Sequence, residues 1–359
     1  MAKIAFVIRD ISRGGACKMM IYYANIACEI FDEVYIISFG KKKNNVNGVK
    51  DAVKICMVNE AEVSNRVLRI LNDIRVIRKA VLEIKPDVLI PFASGNTIFT
   101  YLAVPRYRIF VGTERGNPEK TPKKIHLLCK WVYSKCDYML FQTNGAANHF
   151  FNGKNDKCRI IRNPYIDRNI TRKINGASNK FIIVSMSRLA REKNIDIIIR
   201  AFAMLRHKEE CELRIYGDGP EMENLVNLSK ELGIESKILF EGNIDKIEEA
   251  LSIASVYVLV SSGEGMPNSL IEAMGVGIPC ITTMCMVGET NEIVQNEVNG
   301  LIVNKRDVND LQDAIDRLID DDELRGKIGR NALKIKDMLS DEVIHNQIRD
   351  FYIELSARI

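Results

Sequence analysis

Two carboxylates, Glu264 and Glu272, stand with seven residues between them in the otherwise uncharged stretch SSGEGMPNSLIEAMGVGIP, Ser261 to Pro279. The apolar run VYVLVSS at its head predicts a strand. PNSLIEAMGVGIP, opening on a proline and closing on glycine and proline, predicts a helix. At ~1.5 Å per residue, Glu272 lies about 7 to 8 Å into that helix, and Glu264 sits in the glycine-bearing loop beyond its positive end. Carboxylates on either side of free backbone N–H groups suit an elongated ligand with hydroxyls at its two ends and an anion in the middle, because helix N-termini hold phosphate. A capping glutamate and a solvated helix glutamate are the plain alternative.

Other strand ends carry chemistry of the same kind. In VSMSRLAREKNIDIIIRAF, Arg188 and Lys193 flank a short loop that feeds a helix near Asn194. Two cations there oppose the helix macrodipole, and an anion approached by both would explain them, as would a charged surface loop. RDISRGGACKMM places Gly14 and Gly15 ahead of a helix, as a site of close backbone approach or as a plain tight turn. It is not G-x-G-x-x-G, and no acidic residue clearly ends the second strand, which argues against a nicotinamide dinucleotide. Gly217 in IYGDGPEMENL opens a turn that brings backbone towards a ligand, and Gly242 in LFEGNID could present backbone to a planar base.

These loops need a scaffold. Apolar strands (KIAFVI, EVYIISF, DVLIPF, RIFVGT and YMLFQT, then KFIIVSMS, ELRIYG, KILFEG, VYVLVSS and PCITT) alternate with amphipathic helices along the chain. Such strands joined by helices predict buried parallel sheets and an α/β fold of two facing, Rossmann-like doubly wound domains with a ligand cleft between them. The expected domains are 1–165, 166–340 and a C-terminal helix 341–359 returning to the first, with the break in the polar segment 163–180. The 359 residues, 47% hydrophobic and 27% charged with net charge +4, describe a globular protein too weakly basic to argue for nucleic acid. Neither a membrane span nor a signal peptide is visible, and nine scattered cysteines without a C-x-x-C pair read as free thiols, so a cytoplasmic protein without a zinc site is expected.

In order, SRLAREKN, IYGDGPEMENL, LFEGNI, the stretch from Ser261 and NEVNGLIV resemble the nucleotide-sugar domain of retaining GT-B glycosyltransferases of the group 1, or family 4, class. RGG, PDVLIPF, GTERGNP and FQTNGAANHFF in the first half are similar to its bacterial surface-polysaccharide members. The resemblance implies a hexosyltransferase using a nucleotide diphosphate sugar, UDP-linked, as substrate and no cofactor, with a glycan or lipid-linked saccharide as acceptor. It implies that Arg188 and Lys193 hold the diphosphate, Glu272 the ribose hydroxyls and Glu264 the donor sugar, with the backbone of Gly265, Met266, Pro267 and Asn268 against phosphate and sugar. Members often carry a first-domain histidine near the reacting sugar. None of His126, His149, His207 and His345 follows a strand end convincingly, and Glu114 and Arg115 of GTERGNP stand there instead, as an acceptor-side catalytic pair or a structural ion pair.

A nucleotide-sugar epimerase and a non-catalytic nucleotide-sugar-binding protein are the rival readings. No metal is expected: the acidic run Asp320 to Glu323 reads as a helix cap, with a D-x-D metal motif as its alternative. The segment PEKTPKKIHLLCKWVYSKCDYM, with Lys120, Lys123, Lys124, Lys130 and Lys135 beside Ile125, Leu127, Leu128 and Trp131, reads either as a helix lying on an anionic membrane face or as one packed into the first domain.

Overall fold

The computed structural model describes residues 1–11, 14–40, 46–58, 65–151, 155–172, 180–243, 246–284 and 292–359, with Arg66 and Lys120 described in their backbone only. Arg13, residues 173–179 of the joining segment, Cys285 and the Lys120 side chain therefore lie outside it. The chain divides into two units, Met1–Asn163 with Glu342–Ile359, and Pro164–Asp341.

The first unit runs β1 (Lys3–Ile8), α1 (Gly15–Ala27), β2 (Glu33–Ser38), β3 (Val53–Met57), α2 (Arg66–Ile84), β4 (Val88–Pro91), α3 (Ser94–Ala103), β5 (Ile109–Thr113), α4 (Lys123–Lys135), β6 (Tyr138–Phe141), α5 (Asn144–Phe151) and β7 (Cys158–Ile160). Its described strands form one parallel sheet in the order β3-β2-β1-β4-β5-β6-β7. Strands such as FVI of β1, VLIP and YMLF are buried throughout, which demands helices on both faces.

The second unit runs β8 (Phe181–Met186), α6 (Ile195–Met204), β9 (Cys211–Tyr216), α7 (Met222–Glu231), β10 (Ile238–Gly242), α8 (Ile247–Ile253), β11 (Val256–Leu259), α9 (Asn268–Gly275), β12 (Cys280–Thr283), β13 (Leu301–Val303), α10 (Val308–Asp320), α11 (Asp322–Ala332) and α12 (Ile335–Met338). Its parallel sheet has the order β10-β9-β8-β11-β12-β13 among the described residues. The last helix, α13 (Asp341–Ser356), packs on the first unit: Tyr352 donates to the Tyr23 carbonyl at 3.0 Å, and Glu354 accepts from Tyr138 at 2.7 Å.

The sequence pattern shows five strands in each half, and the structure adds β3, β7 and β13. Each lies at a sheet edge; β3 and β7 are partly exposed and lack a continuous apolar run, and β13 is a largely buried run of only three residues. In both sheets the order reverses, between β1 and β4 and between β8 and β11. Doubly wound sheets hold ligands beyond the carboxyl ends of strands at such a switch point.

Candidate active site

The second switch point brings the main sequence candidates together. The β8 loop carries Arg188 and Lys193, and the β11 loop carries Glu264 and leads into α9 with Glu272. Lys193 Nζ forms an ion pair with Glu264 Oε1, the same oxygen that accepts from Ser261 Oγ at 2.6 Å. The carboxylate is 14% exposed. Lys193 thus finds its anion in the neighbouring strand end, whereas the Arg188 guanidinium is exposed and has no hydrogen-bond or ion-pair partner among the described residues.

Asn194 staples the two loops. It is 1% exposed and sits in the left-handed region at φ 51, where asparagine is tolerated. Its Nδ2 donates to the Val260 carbonyl at 2.7 Å and to Ser262 Oγ at 2.9 Å, while Ser262 N donates to the Glu192 carbonyl at 2.8 Å. Thr283 Oγ1 donates to the Ser261 carbonyl at 2.7 Å, fixing the β11 loop from β12. The sequence reading places Asn194 only as a helix boundary; its polar side chain next to Lys193, where a buried helix begins, is the signal for more.

Gly217 has a packing reason to be glycine. At φ 132, any Cβ would stand 1.9 Å from the Ser187 carbonyl oxygen, so only glycine lets the β9 loop pack under the loop of Arg188. Its N–H donates to the Gly242 carbonyl at 2.7 Å, and Leu189 N donates to that of Asp218 at 3.0 Å. Backbone bonds therefore join the loops of β8, β9 and β10.

The helix α9 starts after Pro267 with no side-chain cap, so its first-turn N–H groups head the site together with the loop of Gly265 and Met266. Met266 is buried, and Gly265, Pro267 and Asn268 are partly exposed. Glu272, on the second turn, is 17% exposed and lies 3.8 Å from Arg168 Nη2, a residue the sequence reading passes over.

In the first unit, Gly14 and Gly15 are exposed where α1 begins; Gly14 adopts φ 111 and is open to solvent on its Cβ side. Glu114 and Arg115 follow β5, but they form no ion pair. The Glu114 carboxyl is buried, accepting from Tyr133 at 2.7 Å and from Gly116 N at 2.9 Å, and burial pushes its pKa up. Arg115 lays its guanidinium over Phe92 and Tyr23, 4.4 and 4.9 Å from the ring centroids. The structural ion pair of the sequence reading is therefore not formed, and the apolar wall of the unit absorbs both the carboxyl and the guanidinium. His126 and His149 meet edge to face with ring centroids 4.8 Å apart.

Of the acidic run, Asp321 caps α11 by accepting from Leu324 N at 2.8 Å, Asp320 pairs with Arg206 at 2.5 Å, and Asp322 pairs with Arg325. The cap alternative describes it. Among the described residues no group of three or more His, Cys, Asp or Glu is placed to hold a metal ion, and no helix is long and apolar enough to cross a membrane.

Two parallel, Rossmann-like sheets with strand-end loops of this kind are the architecture of the GT-B fold. The structure of Anabaena HepE in complex with UDP has this fold, with TM-score 0.80 and 18% identity over 98% of this chain and 100% of that one. Residues 167–335 match the family of glycosyl transferases group 1. The N-acetyl-alpha-D-glucosaminyl L-malate synthase of Bacillus anthracis is 30% identical over 48% of this chain and 45% of its own, a match spanning about half of each. The N-acetylgalactosamine-N,N'-diacetylbacillosaminyl-diphospho-undecaprenol 4-alpha-N-acetylgalactosaminyltransferase of Campylobacter jejuni is 25% identical over 96% of this chain and 97% of its own. Residues 167–335, most of the second unit, are thus similar to group 1 glycosyl transferases, and the chain as a whole has the GT-B fold and relatives named as glycosyltransferases.

Proposed function

We propose that the chain moves a hexose or N-acetylhexosamine from a UDP-sugar to a glycan or lipid-linked saccharide in cell-surface polysaccharide synthesis, with retention of anomeric configuration and without a resident metal. The observation that carries this is the convergence of Arg188, Lys193 and Glu264 at the β8/β11 switch point, beside the uncapped start of α9. Arg188 and Lys193 bind the diphosphate and stabilise the charge that grows on it as the glycosidic bond breaks. Glu264, held by Lys193 and Ser261, orients the sugar through its hydroxyls. Glu272 accepts from the ribose. The departing phosphate oxygen takes the acceptor's proton on the face it leaves, which gives retention. UDP as the nucleotide is supported by the HepE complex, and a lipid-linked acceptor by the name of the Campylobacter relative.

Gly14 and Gly15 offer backbone N–H groups for a phosphate or sugar of the donor, while on the acceptor side Glu114 and Arg115 shape the wall through Tyr133, Tyr23 and Phe92. An epimerase needs an acid/base pair flanking the sugar, and the burial of Glu114 removes the main candidate partner of Glu264. The exposed face of α4, with Leu127 at 67% and Trp131 at 49%, lies among the exposed Lys123, Lys124, Lys130 and Lys135. The opposite face is packed, with Cys129, Val132 and Tyr133 fully buried, so the helix is anchored in the unit and its exposed face supports a peripheral membrane contact. The test is incubation with a panel of UDP-sugars and a polyprenyl-diphosphate saccharide, with NMR of the first product. A retained anomeric linkage is expected; an inverted one, an epimerised donor or no transfer refutes the reading.

A further inference from the structure

We infer that Arg168 is a positioning residue of the donor site, holding the carboxylate of Glu272 where a nucleotide's ribose meets it. This rests on the proposed role of Glu272. Arg168 comes from the segment 164–172 ahead of β8, outside every motif of the sequence reading. Its Nη1 donates to Glu248 Oε1 of α8 at 2.8 Å, and its Nη2 lies 3.8 Å from Glu272 Oε1 of α9. The guanidinium therefore bridges two helices. One follows the β10 loop of Gly242, on the side expected to face the base; the other carries the ribose carboxylate.

The segment bearing Arg168 is itself immobilised. Tyr165 N donates to the Leu339 carbonyl at 2.6 Å, and its ring lies so close over Gly275 that a Cβ there would come within 2.0 Å. Arg172 donates to the carbonyls of Gly277 and Ala254, both at 3.0 Å. A cation fixed in this way sets the direction of the Glu272 carboxylate without occupying the face that a ribose needs. Its planar fork can hold two carboxylates at once, which a lysine ammonium does less well.

A helix-to-helix tie with no part in recognition would lower stability and leave ligand preference alone. Discrimination between UDP and 2'-deoxy-UDP therefore separates the two roles, measured by calorimetric titration of the full chain. Arg168→Gln is expected to weaken UDP binding about tenfold and 2'-deoxy-UDP binding much less, so the preference ratio falls. Arg168→Lys should restore part of the ratio, and Glu248→Gln should keep it. Glu272→Gln is the reference: if it leaves the ratio at the wild-type value, the ribose reading fails and this inference with it. If Glu272→Gln collapses the ratio and Arg168→Gln does not, whatever the change in melting temperature, the inference alone is overturned.

Discussion

Asn194→Ala is expected to destabilise the second unit by about 3 kcal/mol and to weaken donor binding with it. The side chain is 1% exposed and makes two donor bonds, to Val260 O at 2.7 Å and Ser262 Oγ at 2.9 Å. Each such bond contributes ~1 kcal/mol net. The backbone at φ 51 and ψ 40 costs an alanine roughly 1 kcal/mol more. Glycine relieves the backbone and loses only the bonds, so Asn194→Gly should cost about 2 kcal/mol. Asn194→Asp should exceed both, since it sets a carboxylate oxygen against the Val260 carbonyl. For a unit of this size a kilocalorie moves the melting temperature by ~2 to 4 °C, which puts the alanine variant roughly 6 to 12 °C below wild type. Calorimetric melts with and without UDP measure both effects, and Asn194→Ala should lose more of the UDP-induced stabilisation than Asn194→Gly, because the loops of Lys193 and Glu264 are strained as well as unstapled. Alanine and glycine variants that melt together within ~2 °C of wild type would refute the stapling argument.

Arg188→Ala should lower kcat by on the order of 10²-fold with a smaller change in donor KM, because the charge it meets grows in the transition state; near-normal turnover would remove Arg188 from the diphosphate. Transfer should proceed at full rate in excess chelator, and loss of activity restored by magnesium or manganese would contradict the metal-free reading. Burial raises the Glu114 carboxyl pKa, so its stabilising share is complete below the ordinary glutamate range and is lost as pH rises through the raised value. The stability advantage of wild type over Glu114→Gln should therefore shrink between about pH 4 and pH 7, and an advantage constant across that range would show that the carboxyl does not titrate as described. In vesicle flotation at low salt, anionic vesicles should recover the protein and neutral ones much less, with recovery lost when Lys123 and Lys124 become glutamate; equal recovery on both vesicle types refutes membrane docking by α4.

The parts of the site that read directly from the sequence are those where one loop contains both the structural and the chemical signal. Glu264, Pro267 and Glu272 fall in a single strand–loop–helix segment, so the helix period and the stop signals place them without tertiary knowledge. The β8 loop is legible for the same reason. Pairings between loops are not legible: whether Lys193 meets Glu264 or an external anion depends on which strands are neighbours, and the order β9-β8-β11 is not written in any local pattern. Burial of Glu114 was hidden likewise, since its partner Tyr133 lies on α4 in a stretch whose charges announce an exposed helix. Arg168 was invisible because it stands in a segment without periodicity, and only the three-dimensional approach of α8 and α9 gives it partners. The edge strands β3, β7 and β13 show the same limit in the fold: only three to five residues long, they are specified by the neighbour they pair with.

Under the proposed function, the ion pair of the free protein explains why two different cations serve one diphosphate. Glu264 must stay oriented to meet sugar hydroxyls, and Lys193 with Ser261 holds its Oε1 for that purpose. An ammonium has three donors arranged about a point charge, so Lys193 can keep Glu264 and still turn an N–H towards a phosphate oxygen. The guanidinium of Arg188 instead offers a planar fork suited to paired phosphate oxygens. Since it is exposed and has no partner among the described residues, it meets them without first giving up a bond inside the protein. Lys193 thus keeps the acidic half of the site in place before the donor arrives, and Arg188 supplies the positive charge that remains to be used when the bond to the sugar breaks.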